Sequence, residues 1–203
     1  MGAKRLILGF AIAFLLTGAG LAALLFLGRG DDGQVAGDAS GDYEYVDLPT
    51  LTYEGAGSFE WGAKVSSVAD GDTVRLADGR RIRLVQIDAP ERSSECYGNA
   101  ARRALLRLVP LGSNVALSWD DPIDDRDAYG RFLRYLSVGK LNVNLALVEQ
   151  GAAVPYFFRG QRGIYADKLL AAAREARRNR RGLWGACPGA KLDPNRGALT
   201  GRA

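Results

Sequence analysis

Residues 58–187 predict an α+β domain, a small closed five-stranded β-barrel of OB type with about three helices, preceded by an N-terminal transmembrane helix. Short strand-like runs follow one another early and are joined by Asp-Gly turns. A helix-like repeat follows the third run, and a long unbroken apolar segment stands near the N-terminus.

That segment runs from Leu6 to Leu27, about 22 residues, enough as a helix to cross a hydrocarbon core of about 30 Å. It exceeds the roughly 7 to 15 apolar residues of a secretory signal, so residues 1–28 read as a signal-anchor, with a cleaved signal peptide as the alternative. No cysteine lies nearby to carry a lipid. Lys4 and Arg5 precede the run, whereas Arg29 is followed by Asp31 and Asp32, so the positive-inside rule places the rest of the chain outside the membrane. The expected location is the cell membrane, single-pass with the domain outside; with a cleaved signal the protein is secreted. Residues 29–57 are rich in Gly, Asp and Ser and lack a period, as in an acidic flexible linker.

Within the domain, Gly62–Val68 and Thr73–Leu76 suit strands joined by Asp70-Gly71. Asp78-Gly79 turns the chain into a third strand, Arg80–Ile87, with Ile82 and Leu84 on one face and Arg83, Val85 and Ile87 on the other; Pro90 ends it. Gly98–Val109 is helix-like, with Ala101, Leu105 and Leu108 on one stripe. Asn114–Trp119 and Arg131–Val138 are strand-like and flank an acidic irregular stretch. Val143–Gln150 is a short helix stopped by Gly151, and Ile164–Arg181 a longer one with Leu169, Leu170 and Ala173 inward. Residues 188–203 read as a disordered tail.

Charge divides along the same boundaries. The whole chain carries +4, the first 28 residues +2 and residues 29–57 −6, which leaves +8 on residues 58–203. A basic exported domain points to a polyanionic partner. Cys96 and Cys187 cannot build a zinc site without further N or S ligands, and the chain has no histidine. In an oxidising compartment they suit a disulfide, the alternative being two free thiols.

Having no histidine also removes Ser-His-Asp hydrolases and histidine-based nucleases. Carboxylate, arginine, tyrosine and hydroxyl chemistry remains, and oxygen-only ligand sets favour hard cations. Asp70, Asp72 and Asp88 fall at strand ends and can meet at one barrel rim. An EF-hand is excluded, because Leu136 stands where the loop that starts at Asp125 needs a carboxylate. Arg83 alternates with apolar residues inside a strand, so it needs an anionic partner, either a structural carboxylate such as Asp88 or a phosphate held bidentately.

The segments VADGDTVRL, RIRLVQIDAPE, YGNAAR, DAYGR, NLALVEQGAA and GLW, in this order and spacing, resemble the staphylococcal nuclease (thermonuclease) family over about Gly62 to Trp184. The resemblance implies an OB-fold barrel with three helices and calcium-dependent hydrolysis of DNA and RNA with little sequence preference, here by an exported, membrane-tethered monomer. It implies that Asp72 and Asp88 ligate calcium together with the backbone carbonyl of Ala89, where the family often has threonine. Arg83 and Arg131 match the phosphate-clamping arginines, Glu91 the acid proposed as general base, and Tyr129 a nucleotide-contacting tyrosine. The rival readings are a catalytically silent OB-fold module that binds nucleic acid at the cell surface, and a structural envelope barrel. A degenerate binder is expected to have lost one of Asp72, Arg83, Asp88, Glu91 or Arg131, and all five are present.

Overall fold

The computed structural model describes residues 59–201; the expected membrane span and acidic linker lie outside them. Among the described residues no helix is long and apolar enough to cross a membrane. The elements in chain order are β1 (Phe59–Val68), β2 (Thr73–Leu76), β3 (Arg81–Leu84), β4 (Ile87–Asp88), α1 (Gly98–Leu108), β5 (Asn114–Ser118), β6 (Phe132–Val138), β7 (Leu141–Asn142), α2 (Val143–Glu149), β8 (Val154–Pro155), α3 (Ala166–Arg178), α4 (Leu183–Ala186), β9 (Lys191–Asp193) and β10 (Gly197–Leu199).

β1 is long enough to serve two neighbours, pairing antiparallel with β2 through one part and β5 through another. Register shifts between Glu60 and Ala63 and between Val65 and Ser67 let it bend, and Gly62 supplies a φ of 79° at the first. β3 pairs antiparallel with β2 and parallel with β6, while β5 pairs antiparallel with β6. The β3–β6 pairing closes β3-β2-β1-β5-β6 into a five-stranded barrel, as expected of an OB fold. Val65, Leu76, Ile82, Leu84, Leu117 and Leu136 fill its interior. α1 covers one end with Ala101, Ala104 and Leu105 buried, while Leu108 is only half-buried. α2 is fastened by Asn144, whose amide donates to Val85 O (2.8 Å) and whose Oδ1 accepts from Leu136 N (3.0 Å), so both ends of a buried polar side chain are satisfied.

Three features depart from the sequence expectations. The third strand stops at Leu84 instead of running to Ile87, because Gln86 adopts φ 63°. Its side chain is gripped at both ends, donating to Gln161 O (2.7 Å) and accepting from Gly163 N (2.8 Å). Ile87 and Asp88 are thereby redirected to pair with Val154–Pro155. The third helix begins at Ala166, leaving Ile164 exposed with its N–H on Asp120 Oδ2 (2.9 Å). Finally, residues 191–199 of the expected disordered tail form an antiparallel hairpin. Its turn is closed by Asp193, whose Oδ1 accepts from Asn195 N (3.0 Å) and whose carbonyl accepts from Arg196 N (3.1 Å), with Gly197 at φ 77°.

Cys96 and Cys187 form a disulfide 91 residues apart in sequence, joining the approach to α1 to the end of α4. Such a loop contributes about 4 kcal/mol in the chain-entropy account. In urea titrations of the full chain, reductant or a Cys96→Ser/Cys187→Ser change is expected to lower the unfolding midpoint. Coincident midpoints, or two thiols alkylated before reduction, contradict the bond.

Candidate active site

The turn between β1 and β2 is shaped by a lack of space. A Cβ on Gly71 would lie 2.6 Å from Ala89 Cβ and 2.7 Å from Ala101 Cβ, so only glycine lets this turn press against both the segment after β4 and α1. Asp70 braces it by accepting from Asp72 N (3.1 Å). Asp72 is thereby seated beside Ala89, whose N–H donates to Asp72 Oδ2 (2.8 Å), while Oδ1 accepts from Thr73 Oγ1 (3.0 Å). A Cβ on Gly98 would likewise meet Glu91 O at 2.2 Å, so the start of α1 abuts the backbone of Glu91.

Arg83 occupies the centre. Its Nη1 donates to Leu84 O and Ile87 O, both at 2.7 Å, and its Nη2 reaches Asp88 Oδ1 (2.7 Å) and Asp72 Oδ2 (3.0 Å). Asp88, the structural carboxylate open to Arg83 on sequence grounds, is thus one of its partners. Asp88 uses its other oxygen to accept from Ala198 N (2.8 Å) on the C-terminal hairpin.

Arg131 joins the same rim through Thr73 Oγ1, to which its Nη1 donates (3.2 Å). Asp127 holds it with Oδ2 on Nε (2.6 Å) and Oδ1 on the Arg131 backbone N–H (3.0 Å). Burial opposes the charge on Asp127, but these bonds outweigh it and keep its pKa below the ordinary range. Tyr129 is highly exposed, and its ring lies 5.5 Å from the Arg131 guanidinium carbon. Glu91 stands at the surface, its N–H bonded to Glu95 Oε2 (2.7 Å). Partial desolvation, then the charges of Asp70, Asp88 and Glu95, raise its carboxyl pKa against the pull of Arg83.

Asp72, Arg83, Asp88, Ala89 and Arg131 are thus drawn into one bonded cluster, with Glu91 coupled to it electrostatically and Tyr129 beside Arg131. Sequence reasoning missed Thr73, Asp127 and Ala198. Asp127 had a signal, lying four residues before Arg131 across a tight turn; Ala198 had none, because it acts through its backbone.

The charge balance is one-sided. Burial works against the charge of Arg83, but Asp72, Asp88, Asp70 and Asp127 outweigh it, so its pKa is raised. Asp72 shares that single cation with Asp88; burial, with repulsion from Asp70 and Asp88, pushes it up to about 7 despite Arg83. A site short of positive charge and lined by oxygen donors fits a hard divalent cation. Among the described residues no three Asp, Glu, Cys or His side chains are already gathered as a ligand cage.

A family model described as "Staphylococcal nuclease homologue" matches residues 81–186. The chain is 37% identical over 126 residues to an "Uncharacterized endonuclease" of Escherichia coli O157:H7, covering 60% of this chain and 75% of that protein. It is 38% identical over 138 residues to "Protein ParB" of Escherichia coli, covering 62% and 73% respectively. Against "Thermonuclease" of Staphylococcus hyicus it is 30% identical over 129 residues, covering 60% and 74%.

Asp72 yields a pH signature in the metal-free protein. Its folded pKa lies above the ordinary aspartate value, so the native state holds the proton more tightly between about pH 4 and 7, and stability falls as pH rises through that window. Asp72→Asn cannot ionise there. In chelator the variant is expected to lose that part of the slope and to melt higher than the parent at pH 8. A lower melting temperature than the parent at pH 8 contradicts the charge deficit.

Proposed function

Starting from the fact that the chain belongs to the staphylococcal nuclease family, we propose that it is a calcium-dependent enzyme hydrolysing phosphodiester bonds of both DNA and RNA with little sequence preference. The observation that carries this is the meeting of Asp72, Arg83, Asp88 and Arg131 in one network at the barrel rim, with Glu91 beside it. The apolar run Leu6–Leu27 supports display outside a membrane on an N-terminal anchor, or secretion if that run is cleaved.

Asp72, Asp88 and the Ala89 carbonyl would hold the calcium, which when bound supplies positive charge for the phosphoryl oxygens. Arg131, with its guanidinium steered by Asp127 and Thr73, is placed to donate to a phosphate oxygen at the rim. Arg83 already holds two anions, so a phosphate oxygen reaching Nη2 would replace one carboxylate contact with another anionic one, keeping the buried charge paired. Tyr129 offers an exposed ring face on which a base can stack. Glu91, with its raised pKa, accepts the proton of the attacking water more readily at neutral pH than an ordinary surface glutamate.

With the full chain, cleavage of both DNA and RNA is expected in calcium and is expected to disappear in chelator, with magnesium as the comparison. Glu91→Gln is expected to lower turnover by about 100-fold to 10,000-fold with nucleic-acid binding nearly intact. Arg83→Lys is expected to lose rate with little change in the calcium midpoint, because lysine keeps the charge but not the fork. A folded protein that binds nucleic acid yet cuts neither substrate in calcium would be the silent binding module instead.

A further inference from the structure

The C-terminal hairpin lies beyond the stretch matched by the family model, yet it reaches the centre of the site. Ala198 N donates to Asp88 Oδ2, and a Cβ on Gly197 would sit 2.4 Å from that same oxygen. The hairpin is held from two other sides, by Phe157 N on Pro194 O (2.7 Å) and Cys96 N on Gly201 O (3.1 Å). Between it and the loop that follows Glu91 lies an open cavity of about 550 Å³, lined by Ser94, Glu95, Lys191, Arg196, Thr200 and Gly201 among others.

The lining is chemically incomplete. Lys191 and Arg196 are exposed, and neither has an ion-pair partner among the described residues. Two charged donors without a counter-ion beside one cavity leave it open to an anion. The one carboxylate in the lining, Glu95, already accepts from Glu91 N, and two cations outnumber it.

We propose that this cavity is a second nucleic-acid subsite, in which Lys191 and Arg196 hold a backbone phosphate of the strand whose neighbouring phosphodiester lies at Asp72, Arg83 and Asp88. The identity of the strand as ligand rests on the nuclease reading. The placement rests on the hairpin: β10 carries the N–H on Asp88, and its last residue, Leu199, pairs with Lys191 and lines the cavity. The subsite therefore extends the active site along a bound chain instead of forming a separate surface patch. A cation pair reads phosphate, not base, so the subsite adds affinity without sequence preference.

The test is fluorescence anisotropy of a labelled single-stranded DNA oligonucleotide with the full chain in chelator, across a salt series. Each phosphate contact adds about 0.7 to the slope of log affinity against log salt. Lys191→Gln/Arg196→Gln is expected to flatten the slope by about 0.7 and weaken binding several-fold. Circular dichroism checks that the variant folds. An unaltered slope in the double variant overturns the subsite, even when the parent cleaves DNA. A flattened slope in a parent that cuts nothing upholds the subsite while the enzyme reading fails, so the two proposals fall separately.

Discussion

Arg83 sits at the barrel rim with its guanidinium between Asp72 and Asp88, and the surrounding structure follows from the cost of keeping that charge out of water. Two carbonyls, Leu84 O and Ile87 O, complete its hydrogen bonding. Removing the arginine would leave the buried carboxylate of Asp72 and the half-buried one of Asp88 without that cation, a loss of the kind that costs about 3–5 kcal/mol when a buried pair is broken. The barrel supplies each partner from a different place: Asp72 from the start of β2, Arg83 from β3, Asp88 from β4 after the kink at Gln86. The kink at Gln86 is therefore what brings Asp88 back to Arg83. A straight strand would put Arg83 and Asp88 five positions apart along an extended chain, too far for their side chains to meet as they do.

The same interaction explains why the site tolerates, and calls for, additional positive charge. One guanidinium divided between two carboxylates stays firmly ionised, whereas Asp72 is pushed upward because it receives only part of a cation in a desolvated place also faced by Asp70. Glu91 is raised by partial desolvation and then by the same excess of negative charge, though it stands at the surface.

Much of this was legible in the sequence, and the reasons are specific. Asp70-Gly71 and Asp78-Gly79 marked the meander because tight turns demand those residues, and the alternating pattern of Arg131–Val138 marked β6, whose middle residues Arg134, Tyr135 and Leu136 are buried on both faces. Asp72, Arg83, Asp88, Glu91 and Arg131 were legible because charged residues at strand ends, or within an apolar strand, need partners. Gln86 was not legible: a glutamine with positive φ is unfavourable locally and is imposed by Gln161 and Gly163, some 75 residues away in sequence. The hairpin of β9 and β10 was missed because three-residue strands show no period, although Asp193-Pro194-Asn195-Arg196-Gly197 carries ordinary turn chemistry. Its role was invisible for a further reason, since Ala198 and Gly197 act through an N–H and through the lack of a side chain.

The disulfide gives that hairpin its leverage. Cys187 lies four residues before β9, and Cys96 lies five residues after Glu91 and two before α1. The bond thus ties the loop that carries Glu91 to the segment that carries the contact on Asp88, and Cys96 N reinforces the tie by donating to Gly201 O. Short strands with little apolar area cannot hold a position alone, because burial scales with area and the ordering cost is paid per residue. Cross-linking the base of the hairpin confines it near Asp88 before any hydrogen bond forms, so a weak structural element is held against a charged site. In an oxidising compartment that confinement is permanent, consistent with a chain whose only two cysteines are spent on it.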